Sequence, residues 1–230
     1  MARPPYWLAL AATLASAIFA GCFAGLDDGA LTGGAGAGDG GGPGPGAGHG
    51  DFPTQGMSCD DFSGDAPGGA PAGWSFDGGT WTVAALGSAH ALAQTDDHPS
   101  QRAYAIYGQP SWQDYTVALT VTPSQTSSSD CLDGRWQDQD HHYSLCLRDG
   151  NSWSLAAYDR SGRNQLASGS FDYSAGDTHV LELAFHGRSI TPRLDGDAQD
   201  PVSDDTVAGG QVGLSTSNPI AVTKICVTLP

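Results

Sequence analysis

The sequence predicts an all-β fold in which two antiparallel sheets pack as a sandwich. Charged residues make up only 15% of the 230-residue chain, whereas it contains 33 glycines and 14 prolines. That balance is typical of short strands joined by many turns. Several segments, such as residues 115–121, alternate apolar and polar side chains, and no segment has the period of an amphipathic helix of three turns or more.

Strands are predicted where such alternation falls between turn signals. In chain order they are residues 58–62, 80–85, 102–107, 115–121, a hairpin over 131–148, then 152–158, 165–170, 179–185, 189–194, 210–215 and 223–227. Asp77-Gly78-Gly79 indicates a further hairpin turn, between Trp74 and Trp81. We expect Trp74, Trp81 and Trp153 in the core, and Trp112, which precedes its strand, at the surface.

Residues 1–21 are predicted to be an export signal rather than part of the fold. Arg3 precedes an apolar run, residues 8–20, that is too short to span a bilayer comfortably. The run ends in Phe19-Ala20-Gly21-Cys22, which resembles a bacterial lipobox, in which the cysteine is lipidated and becomes the mature N-terminus. Ordinary secretion with a free Cys22 thiol and an uncleaved anchor are the alternatives.

Residues 22–56 are predicted to be a flexible tether, because 12 of the 22 residues in 29–50 are glycine and such a composition cannot bury a core. The folded domain is predicted to span residues 57–230. The net charge of −16 comes almost wholly from aspartate, since Glu182 is the only glutamate. Such a charge disfavours nucleic acid and anionic membrane surfaces as partners. It suits an exported protein, either for solubility alone or for binding neutral sugars or cations.

Residues 131–148 predict a β-hairpin whose register can be checked internally. With a turn at Asp138 and Gln139, Cys131 lies opposite Cys146, where β-carbons are about 4.5–5.5 Å apart and a disulfide fits. Side chains then alternate between two faces. The face expected in the core comprises Leu132, Trp136, Tyr143, Leu145 and Leu147. The polar face comprises Asp133, Arg135, His142, Ser144 and Arg148.

The number of cysteines agrees with a disulfide between Cys131 and Cys146. Five cysteines are odd for an exported protein. If Cys22 carries lipid and Cys131 pairs with Cys146, Cys59 and Cys226 remain, near the two ends of the predicted domain.

An ordered set of short motifs resembles the concanavalin A-like, laminin G-like jelly-roll domains. No single motif is specific; their order and spacing carry the resemblance, over residues 58–228. The motifs are Asp61-Phe62-Ser63-Gly64, Gly73-Trp74, Gly78-Gly79-Thr80-Trp81-Thr82-Val83, Trp112-Gln113-Asp114-Tyr115-Thr116-Val117, Arg135-Trp136-Gln137-Asp138, His142-Tyr143-Ser144-Leu145, Gly176-Asp177-Thr178-His179-Val180-Leu181, Gly187-Arg188-Ser189-Ile190, Leu194-Asp195-Gly196 and Gly209-Gly210-Gln211-Val212-Gly213-Leu214.

The resemblance implies two antiparallel sheets, one of them concave, with the first and last strands adjacent. That adjacency would bring Cys59 near Cys226. The family includes lectins, carbohydrate-binding modules, β-glucanase-type hydrolases and hydrolases of keto-disaccharides, so the fold alone does not give the function. β-Glucanase chemistry needs two close carboxylates, and the solitary Glu182 supplies no such pair. No catalytic motif of the keto-disaccharide hydrolases can be matched residue by residue.

The polar hairpin face, together with Tyr158 on the next strand, is the candidate ligand site. Carboxylate and guanidinium groups hydrogen-bond to sugar hydroxyls, and an aromatic ring stacks on their C–H groups. The alternative is a solvated face carrying an Asp133–Arg135–His142 ion-pair ladder that contributes little. His142 with Asp133 would also serve as an acid–base pair if a nucleophile were present.

Metal sites are weaker candidates. Asp138, Asp140, His141 and His142 carry ligand atoms, but the predicted turn spreads them over both faces. Asp96-Asp97-His98 is expected to be a turn before Pro99. An acidic loop region has no EF-hand spacing, so calcium is only an optional cofactor and none is otherwise implied. This loop region comprises Asp195, Asp197, Asp200, Asp204 and Asp205.

The sequence as a whole predicts a lipid-anchored domain on the exported side of a bacterial cell envelope. Its expected task is non-catalytic binding of carbohydrate or cell-surface polysaccharide on the concave sheet, with the membrane contacted only through the N-terminal lipid. The alternatives are a glycoside-active hydrolase of the keto-disaccharide type and a structural or protein-interaction module.

Overall fold

A computed structural model describes residues 54–96, 102–127 and 129–230. The predicted export signal, Cys22, nearly all of the predicted tether, and Asp97 and His98 lie outside these ranges. The described chain folds into sixteen β-strands arranged in two sheets, and all neighbouring strands are antiparallel. None of the described segments forms a helix of the length and apolarity needed to cross a membrane. The predicted all-β sandwich is confirmed.

The larger sheet has nine strands in the order β13-β12-β11-β6-β16-β4-β3, with β1 added to β16 and β14 added to β12. Its strands are β1 (Gly56–Asp60), β3 (Trp81–Leu86), β4 (Ala89–Gln94), β6 (Tyr115–Pro123), β11 (His179–His186), β12 (Ser189–Leu194), β13 (Asp197–Ala198), β14 (Val202–Ser203) and β16 (Ile220–Leu229).

The second sheet has seven strands in the order β10-β9-β8-β7-β15-β5-β2. Its strands are β2 (Trp74–Asp77), β5 (Ala103–Tyr107), β7 (Ser129–Asp138), β8 (His141–Arg148), β9 (Ser152–Asp159), β10 (Gly162–Ser170) and β15 (Gln211–Thr216). This sheet carries the predicted hairpin, which is formed by β7 and β8.

The core lies between the two sheets and is built by alternation on both. In β6, Tyr115, Val117 and Leu119 are buried, while Thr116 and Ala118 between them are half-buried. In β9, Trp153 and Leu155 are buried in the same cluster, as their alternation predicted. Burying such side chains stabilises each by about 1.5–3 kcal/mol relative to exposure, which fixes which face of each strand points inward.

At the N-terminal end of the domain one local prediction was wrong and one strand was missed. Asp77-Gly78-Gly79 is not a hairpin turn, because β2 pairs with β5 in one sheet while β3 pairs with β4 in the other. The chain instead crosses between sheets there. Strand β4 was missed because its sequence, AHALAQ, is rich in alanine, which has a low β-propensity. It forms because it lies between β3 and β16 and hydrogen-bonds to both.

Trp112 was also predicted wrongly. It is only 6% exposed and belongs to the core, so it is not a surface platform. Gly108 adopts a φ of 100°, and a β-carbon there would lie 2.2 Å from the indole of Trp112. A glycine at this position therefore lets the chain pass directly over the ring, which the position of Trp112 before its strand did not reveal.

The structure contains both expected disulfides. Cys131 is joined to Cys146 across β7 and β8, at directly opposed positions. Cys59 is joined to Cys226 across β1 and β16, so the first and last strands are neighbours. The first bridge follows the predicted hairpin register, and the second follows the strand adjacency that the resemblance implied.

Candidate functional site

The β7–β8 hairpin contains a bulge that was not predicted. Gly134 pairs with Tyr143 as expected, but the next pair is Asp138 with His141, so three residues of β7 face His142 alone. The turn is therefore formed by residues 139 and 140, one position later than predicted. Arg135, the first bulged residue, has a φ of 47°, a conformation unusual for a residue with a side chain.

The bulge exchanges the faces of Arg135 and Trp136, so the prediction of Arg135 as a ligand residue on the polar face was wrong. Its guanidinium donates to three backbone carbonyls, those of Gln113 at 3.1 Å, Val207 at 3.0 Å and Gly187 at 2.7 Å. It also lies 4.8 Å from the centre of the Phe185 ring. Arg135 is 2% exposed and ties loops together at this end of the sandwich.

Trp136, predicted in the core, lies instead on the face of the seven-stranded sheet that points away from the core, which we call the outer face. There it packs with Tyr104 and Ile106 in a small apolar cluster separate from the core. The structure thus places a tryptophan where the sequence pattern placed an arginine.

Four rings form a continuous row across the outer face, from β5 to β9. The ring centres of Tyr104 and Trp136 are 4.8 Å apart, those of Trp136 and His142 are 4.6 Å apart, and those of His142 and Tyr158 are 4.4 Å apart. We call these four residues the aromatic row. Tyr158 ends the row and is half-buried, with one ring face stacked on His142 at an angle of 9°.

The polar atoms of the aromatic row are largely without protein partners. Within the described residues, the Tyr104 and Tyr158 hydroxyls and the Trp136 indole N–H form no hydrogen bond. Nδ1 of His142 bonds to the carbonyl of Asp138 at 3.1 Å. Because a carbonyl only accepts, Nδ1 carries the proton, and Nε2 is left as the free acceptor of the neutral ring. Buried Tyr and Trp side chains usually find a partner for their polar atom, so these groups are available to one from outside.

Burial shifts the titration of two of these rings. It lowers the pKa of His142, partly offset by the nearby negative charge of Asp133, so the imidazole is neutral at pH 7. Burial, with the same carboxylate, raises the pKa of Tyr104 to about 12, so its hydroxyl remains a donor. The row therefore presents neutral hydrogen-bonding groups.

Asp133 and Ser144 lie beneath the row as a directly opposed pair, and both are buried. The Ser144 hydroxyl donates to Oδ1 of Asp133, while Oδ2 of Asp133 has no partner among the described residues. Gly213, on the neighbouring strand, packs closely here, since a β-carbon there would lie 3.1 Å from Ile106 and 3.4 Å from the β-carbon of Asp133. Ser215 is buried on the same strand with its hydroxyl unpaired within the described residues.

Arg148, the last of the predicted ligand residues, also lies on the outer face. Its Nε donates to the hydroxyl of Ser154 at 2.9 Å. Five of the six predicted residues therefore lie on the outer face, namely Asp133, His142, Ser144, Arg148 and Tyr158. Arg135 lies on the opposite side of the sheet.

Several outer-face residues were missed. Tyr104 and Ile106 alternate with Ala103 and Ala105, a signal that was readable but ambiguous because both sets are apolar. Trp136 was hidden by the bulge. Arg163 is the second residue of β10, which begins at Gly162, three residues before its predicted start, so no pattern assigned the face of Arg163.

The candidate metal ligands do not converge. Oδ1 of Asp138 accepts from the backbone N–H of Asp140 at 2.8 Å and bonds to Nδ1 of His141 at 2.7 Å, which closes the turn on itself. In the acidic loop region, Asp195 bonds to His179 and Asp204 to Tyr143. Within the described ranges, no group of three or more His, Cys, Asp or Glu side chains is arranged to hold a metal ion.

One open depression, of about 510 Å³, lies at the turns that follow β7 and β9 rather than on the aromatic row. It is lined by His141, Asp159, Arg160, Ser161 and Thr206. The solitary Glu182 lies on β11 of the other sheet, where it forms an ion pair with Arg193. None of the six predicted ligand residues lines the depression.

No family model matches the chain, and no curated protein sequence matches it. Solved structures do match its fold. The carbohydrate-binding module CBM66 from Bacillus subtilis matches with a TM-score of 0.55 and 18% identity, over 66% of this chain and 94% of that one. Domain 4 of AbnA, a GH43 extracellular arabinanase from Geobacillus stearothermophilus solved with arabinotriose, matches with a TM-score of 0.54 and 14% identity, over 75% and 91%.

A glycoside hydrolase family 16 endo-glucanase from Bacteroides ovatus matches equally well, with a TM-score of 0.55 and 7% identity, over 73% of this chain and 98% of that one. At such identities the matches establish a shared architecture, because one fold serves several functions. The domain has two antiparallel sheets, its first and last strands are adjacent, and these solved structures share its architecture. The described domain therefore has the concanavalin A-like jelly-roll fold.

Proposed function

We propose that this protein binds carbohydrate, without catalysis, on the outer face of the seven-stranded sheet. The observation that carries the proposal is the aromatic row with its unpaired polar atoms. A sugar has apolar C–H faces and hydroxyl edges, and it is matched by ring surfaces that carry neutral donors and acceptors. A carbohydrate-binding module and an arabinanase domain solved with arabinotriose, both among the structural neighbours, support this choice.

Tyr158 is the principal contact in this proposal. Trp136 and His142 are packed between neighbouring rings, and Tyr104 at one end is buried. The half-buried Tyr158 at the other end is therefore the ring most open to a ligand. The inner rings are held rigidly, so a ligand loses little affinity to their ordering. Asp133 and Ser144 are 0% and 2% exposed beneath the row, so they do not form part of the surface that is open to a ligand.

Glycan-array binding should therefore depend on Tyr158. We expect the purified protein to bind a set of glycans and Tyr158→Ala to lose about tenfold in affinity, because burying an aromatic side chain against a ligand contributes about 1.5–3 kcal/mol. Phe171→Ala is the matched control, since Phe171 is a half-buried aromatic that contacts Tyr173 and His179 instead of the row. The control should bind as the unmodified protein does.

Thermal unfolding of both variants should be compared, so that loss of fold is separated from loss of binding. Equal binding by Tyr158→Ala and the unmodified protein would place the site elsewhere. Absence of binding to any glycan, with or without calcium, would favour a protein partner instead.

We also propose that the domain is held at the exported side of a bacterial cell envelope by lipid on Cys22. The support is the lipobox-like Phe19-Ala20-Gly21-Cys22 after an apolar run, together with the pairing of the other four cysteines. Expression of Cys22→Ala with radiolabelled palmitate should give no labelled protein, whereas the unmodified chain is labelled. Persistent labelling of the variant would contradict the anchor.

A further inference from the structure

Three arginine side chains converge on the outer face beside the aromatic row. Nε of Arg148 and Nη2 of Arg163 both donate to the hydroxyl oxygen of Ser154, at 2.9 Å and 3.1 Å. Nη2 of Arg102 lies 3.9 Å from the sulfur of Cys146, the residue directly opposite Ser154 on the next strand. Ser154 is only 3% exposed, although it points away from the core, because the arginine side chains lie over it.

None of these three arginines forms an ion pair with a carboxylate in the described part of the chain. They donate to neutral acceptors: Arg148 and Arg163 to Ser154, and Arg102 to the disulfide sulfurs and to backbone carbonyls such as that of Ser215 at 3.4 Å. By contrast, Arg135, Arg188 and Arg193 each have an acidic partner.

The absence of an ion pair at these arginines in the described ranges is unexpected in so acidic a chain. The chain has 25 acidic and 9 basic residues, so carboxylates are abundant, yet within the described residues none forms an ion pair with this cluster, and the charge of Asp149 offsets only part of what lowers the pKa of Arg148. Two guanidinium groups that share one neutral oxygen repel each other. Burial lowers the pKa of Arg148, and the positive charge of Arg163 adds to the effect, while the group remains protonated at pH 7. An anion placed between the two groups would relieve the repulsion.

The cluster is continuous with the aromatic row. Arg163 is directly opposite Tyr158 across β9 and β10, and its side chain runs along the face toward Ser154. Ser154 and Tyr158 lie on the same face of β9, four residues apart, which corresponds to about 13 Å of extended strand. That distance exceeds one sugar ring, so a ligand that reaches both must be an oligosaccharide.

We propose that the ligand of this face is an anionic oligosaccharide, with a carboxylate or sulfate bound by Arg148 and Arg163 while a neighbouring sugar contacts Tyr158. Guanidinium groups present paired N–H donors that match the oxygens of either anion. Arg102 lies at the edge of the cluster and adds positive charge. The inference rests on the proposed carbohydrate binding and specifies its ligand class.

Matched saccharides test it by isothermal titration of the purified protein. Oligogalacturonate is compared with its methyl ester, which keeps the sugar but removes the charge, and sulfated dextran oligosaccharide is compared with unsulfated dextran. We expect at least one charged member to bind about tenfold more tightly than its neutral counterpart at low salt. Sodium chloride should weaken the charged complex and leave the neutral one nearly unchanged, because salt screens charge. The pair that shows the preference identifies carboxylate or sulfate.

Arg148→Gln and Arg163→Gln should each weaken the charged ligand about tenfold and leave the neutral counterpart unchanged. Arg188→Gln is the matched control, because that arginine is 66% exposed and paired with Asp205. Neutral sugars bound as tightly as charged ones, or equal losses for both in the arginine variants, would overturn the inference and leave the proposed carbohydrate binding intact. Absence of binding to every saccharide would overturn both. If a variant does not fold, the salt dependence of the unmodified protein decides.

Discussion

Replacing Cys59 and Cys226 together with serine should lower the free energy of unfolding by about 5 kcal/mol, from the entropy of the chain loop that the bridge closes. The two cysteines are 167 residues apart in sequence. Cys131 and Cys146 are 15 residues apart, so replacing that pair should cost only about 3 kcal/mol. In both cases the bridge acts mainly by restricting the unfolded chain.

The folded structure adds a reason for the larger effect. Among the described strands β1 pairs with β16 alone, and most of its side chains are exposed, so little apolar burial holds it. Its end is tied to the other sheet by Asp60, whose carboxylate accepts from the indole of Trp74 at 3.0 Å. Loss of the bridge should therefore release β1 first.

Differential scanning calorimetry checks this prediction. A loss of about 5 kcal/mol should lower the melting temperature by about 10–20 °C for a domain of this size, and the hairpin bridge should have the smaller effect. A larger loss on removing Cys131 and Cys146 would contradict the ordering by loop length.

Arg135→Ala should lower the free energy of unfolding by about 3–5 kcal/mol. The buried guanidinium would be lost, while the carbonyl groups that accept its hydrogen bonds would stay in place without a donor. Three backbone carbonyls would lose their donor at once, and the contact with Phe185 would be lost as well. Arg135→Lys should recover only part of the stability, since one ammonium cannot reach three separated oxygens as the planar guanidinium does.

Chemical denaturation of Arg135→Ala, beside Arg188→Ala, tests this prediction. Arg188 and its partner Asp205 are both mostly exposed, so its loss should cost less than about 1 kcal/mol. If Arg135→Ala kept its stability but lost ligand affinity, the arginine would belong to the ligand face, as the simple alternation predicted, and the bulge would be wrong.

The fold was predictable from the sequence because its signals are local and repeated. Strands such as β6 and β9 alternate strictly, and the opposed cysteines fixed the register of the hairpin as far as Gly134. Strand β4 was not predictable in the same way, since its alanines become a strand only by pairing with β3 and β16.

The candidate site was predicted only in part, for one physical reason. A bulge changes the face of every residue within it, and alternation carries no signal for where a bulge occurs. Arg135 and Trp136 were therefore exchanged. The bulge is stabilised by a distant group, the hydroxyl of Tyr115, which accepts from the backbone N–H of Arg135 at 2.6 Å. A contact between residues 20 positions apart cannot be read from a short pattern.

Fluorine NMR of protein labelled with 5-fluorotryptophan tests sugar binding at the aromatic row. Of the tryptophans that the structure describes, Trp136 alone lies on the outer face, whereas Trp74, Trp81, Trp112 and Trp153 pack in or against the core. Titration with a bound oligosaccharide should shift the Trp136 resonance, assigned with Trp136→Phe, and leave the core resonances unchanged. An unchanged Trp136 resonance under saturating ligand would contradict binding at the aromatic row.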